Sequence, residues 1–270
     1  MNKGSGRLIA ITAVFFSCLG AAACAEPLEA TFALSVNALS GQHQVGSGHA
    51  DRLSFAPLPL LETTLRYGTE SVHLEGLPPL TLGYFNQGYG GAATRLSILN
   101  ATYRHALPGG WFAGVGTTVY NQDTMYAQGT NVYFQHAGSF VAVAGTPREF
   151  SRVTGLRLEA GQRIRLGRTT IEYAAALNPA MHGIDHTRVP TPNVICTSTG
   201  CSQIVAEYAD AESATQVDLI ARVAQRVSKH GEILYGLRYI NFTSRFSDVP
   251  GQLSDRNVGY APSLGYRLRF

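Results

Sequence analysis

The chain has 270 residues, is 45% hydrophobic and only 14% charged, and carries a formal net charge of +3. A near-neutral chain lacks the clustered basic excess that a phosphate backbone demands, which excludes nucleic acid as a partner. Beyond the first two dozen residues no apolar run approaches the roughly 18 residues of a transmembrane helix, so any membrane role must rest on strands.

Lys3 and Arg7 precede an apolar run from Leu8 to Ala23, and Ala23-Cys24-Ala25 offers small residues for cleavage. Residues 1–25 therefore read as a secretory signal peptide and 26–270 as one β domain. A lipid-modified Cys24 is less consistent, because Ala21 stands where a lipobox has Leu. Removing 1–25 takes Lys3 and Arg7 and no acidic residue, which leaves 19 basic against 18 acidic groups. All the remaining basic residues are Arg except Lys229. Arginine keeps its charge and forks onto carboxylates, a chemistry suited to packed ion pairs.

A period of two recurs along the chain and predicts strands with one apolar face. Leu28, Ala30, Phe32, Leu34 and Val36 oppose Glu29, Thr31, Ala33, Ser35 and Asn37. Leu61, Thr63, Leu65 and Tyr67 oppose Glu62, Thr64 and Arg66, and a turn at 68–71 leads to Val72 and Leu74 opposite His73 and Glu75. A strand ending near Tyr103 and Arg104 turns through Pro108-Gly109-Gly110 into Trp111, Ala113, Val115, Thr117 and Val119. Leu156, Leu158, Ala160, Ile164 and Leu166 turn at Gly167-Arg168 and return through Ile171, Tyr173, Ala175 and Leu177. Val217, Leu219, Ala221, Val223 and Val227 turn at 228–231 and return through Ile233, Tyr235, Leu237 and Tyr239. The chain closes on Val258, Tyr260, Pro262, Leu264, Tyr266, Leu268 and Phe270 at alternate positions.

The count comes to ten strands; segment 131–145 would make it twelve, or would form an extracellular hairpin or an inward loop. Tight turns alternate with long polar segments near 39–57, 85–93, 121–153, 178–213 and 241–256. Short turns on one side and long connections on the other are the pattern of a transmembrane barrel.

The ionisable residues gather on the face opposite the apolar stripe. Glu29, Glu62, Glu75, Glu159, Glu172, Asp218 and Glu232 lie there with Arg66, Arg104, Arg157, Arg163, Arg165, Arg222, Arg226, Arg238, Arg267 and Arg269. In a narrow lumen such side chains meet, either as ion-paired filling or as the lining of a water-filled passage with a cationic bias.

Cys196 and Cys201 are the two cysteines left after the signal peptide, and in an oxidising compartment each is the other's partner for a loop disulfide. His182, Asp185 and His186 form a weak metal or water-activating motif in the longest polar segment, and no metal or other cofactor is expected. His136 and Ser139 are the nearest pair to a lipase-type base and nucleophile, but a spacing of three does not put them on one face of a strand.

The last nine residues, with Leu264, Tyr266, Leu268 and a terminal Phe270, closely resemble the C-terminal assembly signal of bacterial outer-membrane β-barrels. That resemblance implies an all-β antiparallel transmembrane barrel in the outer membrane, contacting lipid and lipopolysaccharide and inserted by the barrel assembly machinery. A fainter likeness is to the MipA/OmpV group, carried by Pro57-Leu58-Pro59 and Arg66-Tyr67-Gly68. Three functions fit: a small passive channel or surface-exposed structural barrel, a membrane-embedded hydrolase, and an adhesin or envelope scaffold.

Overall fold

A computed structural model describes residues 28–38, 40–45, 50–54, 58–77, 84–85, 92–126, 132–134, 139–141, 145–197, 200–246 and 254–270. The export signal and His136 lie outside the described residues. The strands are β1 (Glu29–Asn37), β2 (Ser40–Val45), β3 (Ala50–Ser54), β4 (Leu58–Tyr67), β5 (Glu70–Leu77), β6 (Tyr84–Phe85), β7 (Ala92–Ala106) and β8 (Trp111–Tyr126). They continue as β9 (Val132–Phe134), β10 (Ser139–Val141), β11 (Arg148–Leu166), β12 (Thr169–Thr197), β13 (Gly200–Arg226), β14 (Gly231–Phe246) and β15 (Ser254–Arg269).

Ten of these close an antiparallel barrel in the order β1-β4-β5-β7-β8-β11-β12-β13-β14-β15, with β15 returning to β1. The seam runs from Thr31 opposite Arg269 to Asn37 opposite Ser263. The terminal residue seals it, since the Phe270 amide donates to the Ala30 carbonyl at 2.9 Å. Closure satisfies every edge, a requirement for strands in lipid. β2 resumes along β15 where β1 stops, and β3 pairs with β2, so the two carry the β1/β4 hairpin upward beyond a break. β9 and β10 form a two-stranded hairpin of their own, which resolves the choice between ten and twelve in favour of ten.

The expected faces hold. Phe32, Leu34, Val36, Leu65, Val115, Leu158, Leu219, Leu237 and Leu264 are exposed on the outside, as lipid-facing residues must be when no lipid is present. Tyr67, Tyr103, Trp111, Tyr173, Tyr235 and Tyr266 lie outside near the tight turns, where an aromatic girdle belongs. Trp111 meets Tyr173 edge to face at 6.0 Å. The turn at Gly109 and Gly110 needs positive φ at both (74° and 78°), which glycine adopts without a Cβ clash. At Gly116 a Cβ would lie 2.0 Å from the Ala101 carbonyl oxygen, so β7 and β8 approach there only because the side chain is missing.

The long connections are themselves largely β-structure. β12 has 29 residues and β13 has 27, and they stay paired up to Thr197 opposite Gly200. A tilted crossing takes about 9–11 residues, so more than half of this hairpin rises above the membrane. A register shift at 178/181 falls where the outward apolar stripe ends, and a second, at 190/194, lies farther up the polar extension.

Candidate functional site

The lumen is filled in layers. Nearest the tight turns and termini lies a dense set of ion pairs. Arg222 of β13 donates to Glu62 of β4 at 2.8 and 2.5 Å, and Arg238 of β14 meets Glu75 of β5 at 2.8 Å. In both pairs the two strands are four places apart in a ten-strand ring, so the contacts cross the lumen rather than run along its wall. Arg238 also binds Asp218 through two nitrogens, and Arg157 reaches the same carboxylate at 3.2 Å. Arg104 forks onto Glu159 at 3.0 and 2.7 Å. Arg267 forks onto Glu172 at 2.9 Å through both nitrogens and touches Glu232 at 3.3 Å.

These groups are buried: Asp218 is 0% exposed, Arg157 and Glu232 2%, and Arg267 6%. A lone charge there would be prohibitive, and the pairing with forked hydrogen bonds makes the burial tolerable. Arg226 faces Glu232 across the register at the turn end, where Arg163 and Arg165 are exposed.

An uncharged layer follows. Asn100 donates to Glu75 at 2.9 Å, Thr118 to Asn100 at 2.7 Å and Asn178 to Thr118 at 2.9 Å, tying β5, β7, β8 and β12 together. Beyond it six neighbouring strands contribute an apolar layer: Ile98, Tyr120, Val153, Met181, Ala214 and Phe242. Tyr120 and Phe242 stack at 4.4 Å and 16°, although β8 and β14 are four strands apart.

The uppermost layer is acidic. Asp185 on β12 and Asp210 on β13 are register partners, with Glu212 beside Asp210 on the same face and Glu149 and Ser151 on β11. Ser151 donates to Glu212 at 2.5 Å. Burial, then the charges of Glu149, Glu212 and Asp210, push the Asp185 carboxyl up to about 9. The folded chain therefore favours the protonated form of Asp185.

No family model and no curated protein matches this chain. Among solved structures, the outer membrane protease OmpT from Escherichia coli superposes with a TM-score of 0.59 at 9% identity, covering 90% of this chain and 97% of that one. The β domain of the Bordetella autotransporter BrkA (TM-score 0.41, 17% identity, 90% and 100% covered) and neisserial surface protein A (0.33, 10%, 91% and 100%) superpose more loosely. The chain has the fold of the outer-membrane β-barrels. Its apolar belt and aromatic girdle fit the bacterial outer membrane, and the tight turns and both ends of the described barrel share one mouth.

Within the outer-membrane barrel the histidine motif is not assembled. Its segment is a strand rather than a loop, so side chains alternate: Asp185 points into the lumen and is buried, while His182 and His186 point outward and are exposed. The three cannot share an ion. Cys196 and Cys201 stand directly opposite each other in the register near the hairpin tip.

One ligand-like cluster escaped sequence reasoning. Glu62, His73 and Glu75 bring potential ligand atoms within 4.8 Å of one another in the lumen. Glu62 is engaged by Arg222, Glu75 by Arg238 and Asn100, and the His73 ring by Thr64 at 2.9 Å. Guanidiniums already occupy the place a cation would take, so the cluster reads as part of the ion-pair layer. Its only sequence signal was the shared parity of 73 and 75.

Proposed function

We propose that this protein is a closed, surface-exposed structural barrel rather than an open pore: a plugged transmembrane cylinder that holds a tall extracellular β-extension for contact with a partner outside the cell. The observation that carries this reading is the pair of cross-lumen contacts, Arg222 with Glu62 and Arg238 with Glu75, which bridge nearly opposite walls. The apolar layer above them supports it, because an ion crossing there would shed its water against Tyr120 and Phe242 with nothing to replace it. The extension supplies the outer contact surface, with Ile184, His186, Arg188 and Glu207 facing outward above the belt. Proteoliposomes carrying the refolded protein should swell in small sugars no faster than protein-free ones. Swelling at porin-like rates would overturn the reading.

A second reading, a surface hydrolase, is favoured by the acidic layer. Asp185, whose carboxyl is pushed toward its protonated form by burial and neighbouring charges, stands opposite Asp210 in the register, which brings together two carboxyls of the kind that general acid and base catalysis uses, and OmpT, which shares the fold, is an outer membrane protease. It expects cleavage of unfolded polypeptide that is abolished in Asp185→Asn and in Asp210→Asn. An unchanged peptide mixture after long incubation would remove it.

A further inference from the structure

Below the ion-pair layer the lumen opens toward the periplasm as a cavity of about 280 Å³. Its walls include Ala33, Phe112 and Ala174, and it is lined by Arg163, Arg165 and Arg269 as well as by carboxylates of the ion-pair layer.

The local charge does not balance. Glu172 is shared by three guanidiniums, Arg267 at 2.9 Å, Arg163 at 3.0 Å and Arg222 at 3.8 Å. Glu232 is shared by Arg269 at 2.9 Å and Arg267 at 3.3 Å. Four arginines thus divide three carboxylates, counting Glu62 with Arg222. Arg165 lines the same space and makes no ion pair among the described residues. The Arg269 Nε is buried and has no acceptor, and the Arg163 side chain is 41% exposed with donors to spare. Guanidiniums present planar pairs of N–H groups that match the oxygens of phosphate and carboxylate.

We infer that this periplasmic vestibule is a binding site for a small anion bearing a phosphate or carboxylate group, held by Arg163, Arg165 and Arg269. The site is separate from the acidic extracellular layer, and it stands whether or not the lumen conducts, since binding from the periplasmic side needs no passage through the barrel. The same chemistry is offered by a free anion and by a headgroup or polymer end presented at the inner face of the membrane, and size separates these sources.

The test is calorimetric titration of the full-length protein, refolded in zwitterionic detergent, with inorganic phosphate and with pyrophosphate, and in parallel with mixed micelles containing phosphatidylglycerol. Saturable one-to-one binding of a free anion, weakened at least about tenfold in Arg165→Gln and in Arg163→Gln, is the expected result. Saturation only by the phosphatidylglycerol micelles, with the same loss in both variants, supports the site and assigns it to a headgroup. Arg165→Gln alters an exposed side chain and should fold; retention of heat-modifiable migration checks this, and Arg165→Lys should restore binding only in part. Absence of saturable heat with every probe, or equal affinity in wild type and both glutamine variants, would overturn the assignment.

Discussion

Arg222 and Glu62 are 160 residues apart in the chain and meet through two hydrogen bonds in the lumen. Breaking one side leaves a buried charge with its partner gone, which costs about 3–5 kcal/mol, whereas replacing both leaves none. Arg222→Leu should therefore lower unfolding stability in urea by roughly that amount, and Arg222→Leu with Glu62→Leu should recover most of the loss. Additive losses would show that the two do not act as a pair. Asp185 makes a different residue-scale prediction. Its carboxyl is pushed up to about 9 from an ordinary value near 3.8, so the folded state favours the protonated form. The sign follows from linkage: its contribution to stability is complete below about pH 4 and is lost as pH climbs toward 9. Amide protection in the β12/β13 extension should fall over that range in wild type and fall less in Asp185→Asn, which keeps the shape without the titration. An identical pH dependence in the variant would contradict the assignment.

At the scale of elements, the terminal strand does two jobs. Phe270 carries the outward aromatic of the resemblance to assembly signals, and its backbone seals the seam against Ala30. Deleting Phe270 should lower the fraction that reaches the outer membrane several-fold, read by surface protease accessibility; undiminished insertion would show that the preceding Leu268 and Tyr266 suffice. Legibility also divides by element. The ten crossings could be read because lipid on one side and packed polar groups on the other force apolar residues to alternate, as Leu156 and Leu158 do around Arg157. The upper halves of β12 and β13 could not be read as strands, because above the membrane both faces tolerate polar residues and the alternation disappears, as at His182, Asp185 and His186. Parity placed Arg222 and Glu62 on the lumen face. It could not pair them, since partners four strands apart around a ring are set by closure and stagger, neither of which is a local property of the chain.

On the scale of the whole molecule, the barrel is graded along its axis: arginine-rich at the mouth nearest the tight turns, ion-paired within, apolar above that, and acidic toward the opposite end. The two middle layers close it by different means, a point that separates this account from one in which the arginines line an anion passage. Tyr120 and Phe242 close by packing and the Arg–carboxylate bridges close by charge, so removing one layer should leave the other in place. The most direct test is the current through a planar bilayer carrying the purified protein at two salt concentrations. The account predicts silence from wild type and from Phe242→Gly, and unitary steps only when Phe242→Gly is combined with loss of both bridges, Arg222→Ala with Glu62→Ala and Arg238→Ala with Glu75→Ala. Stable anion-selective steps from the wild-type protein would contradict it.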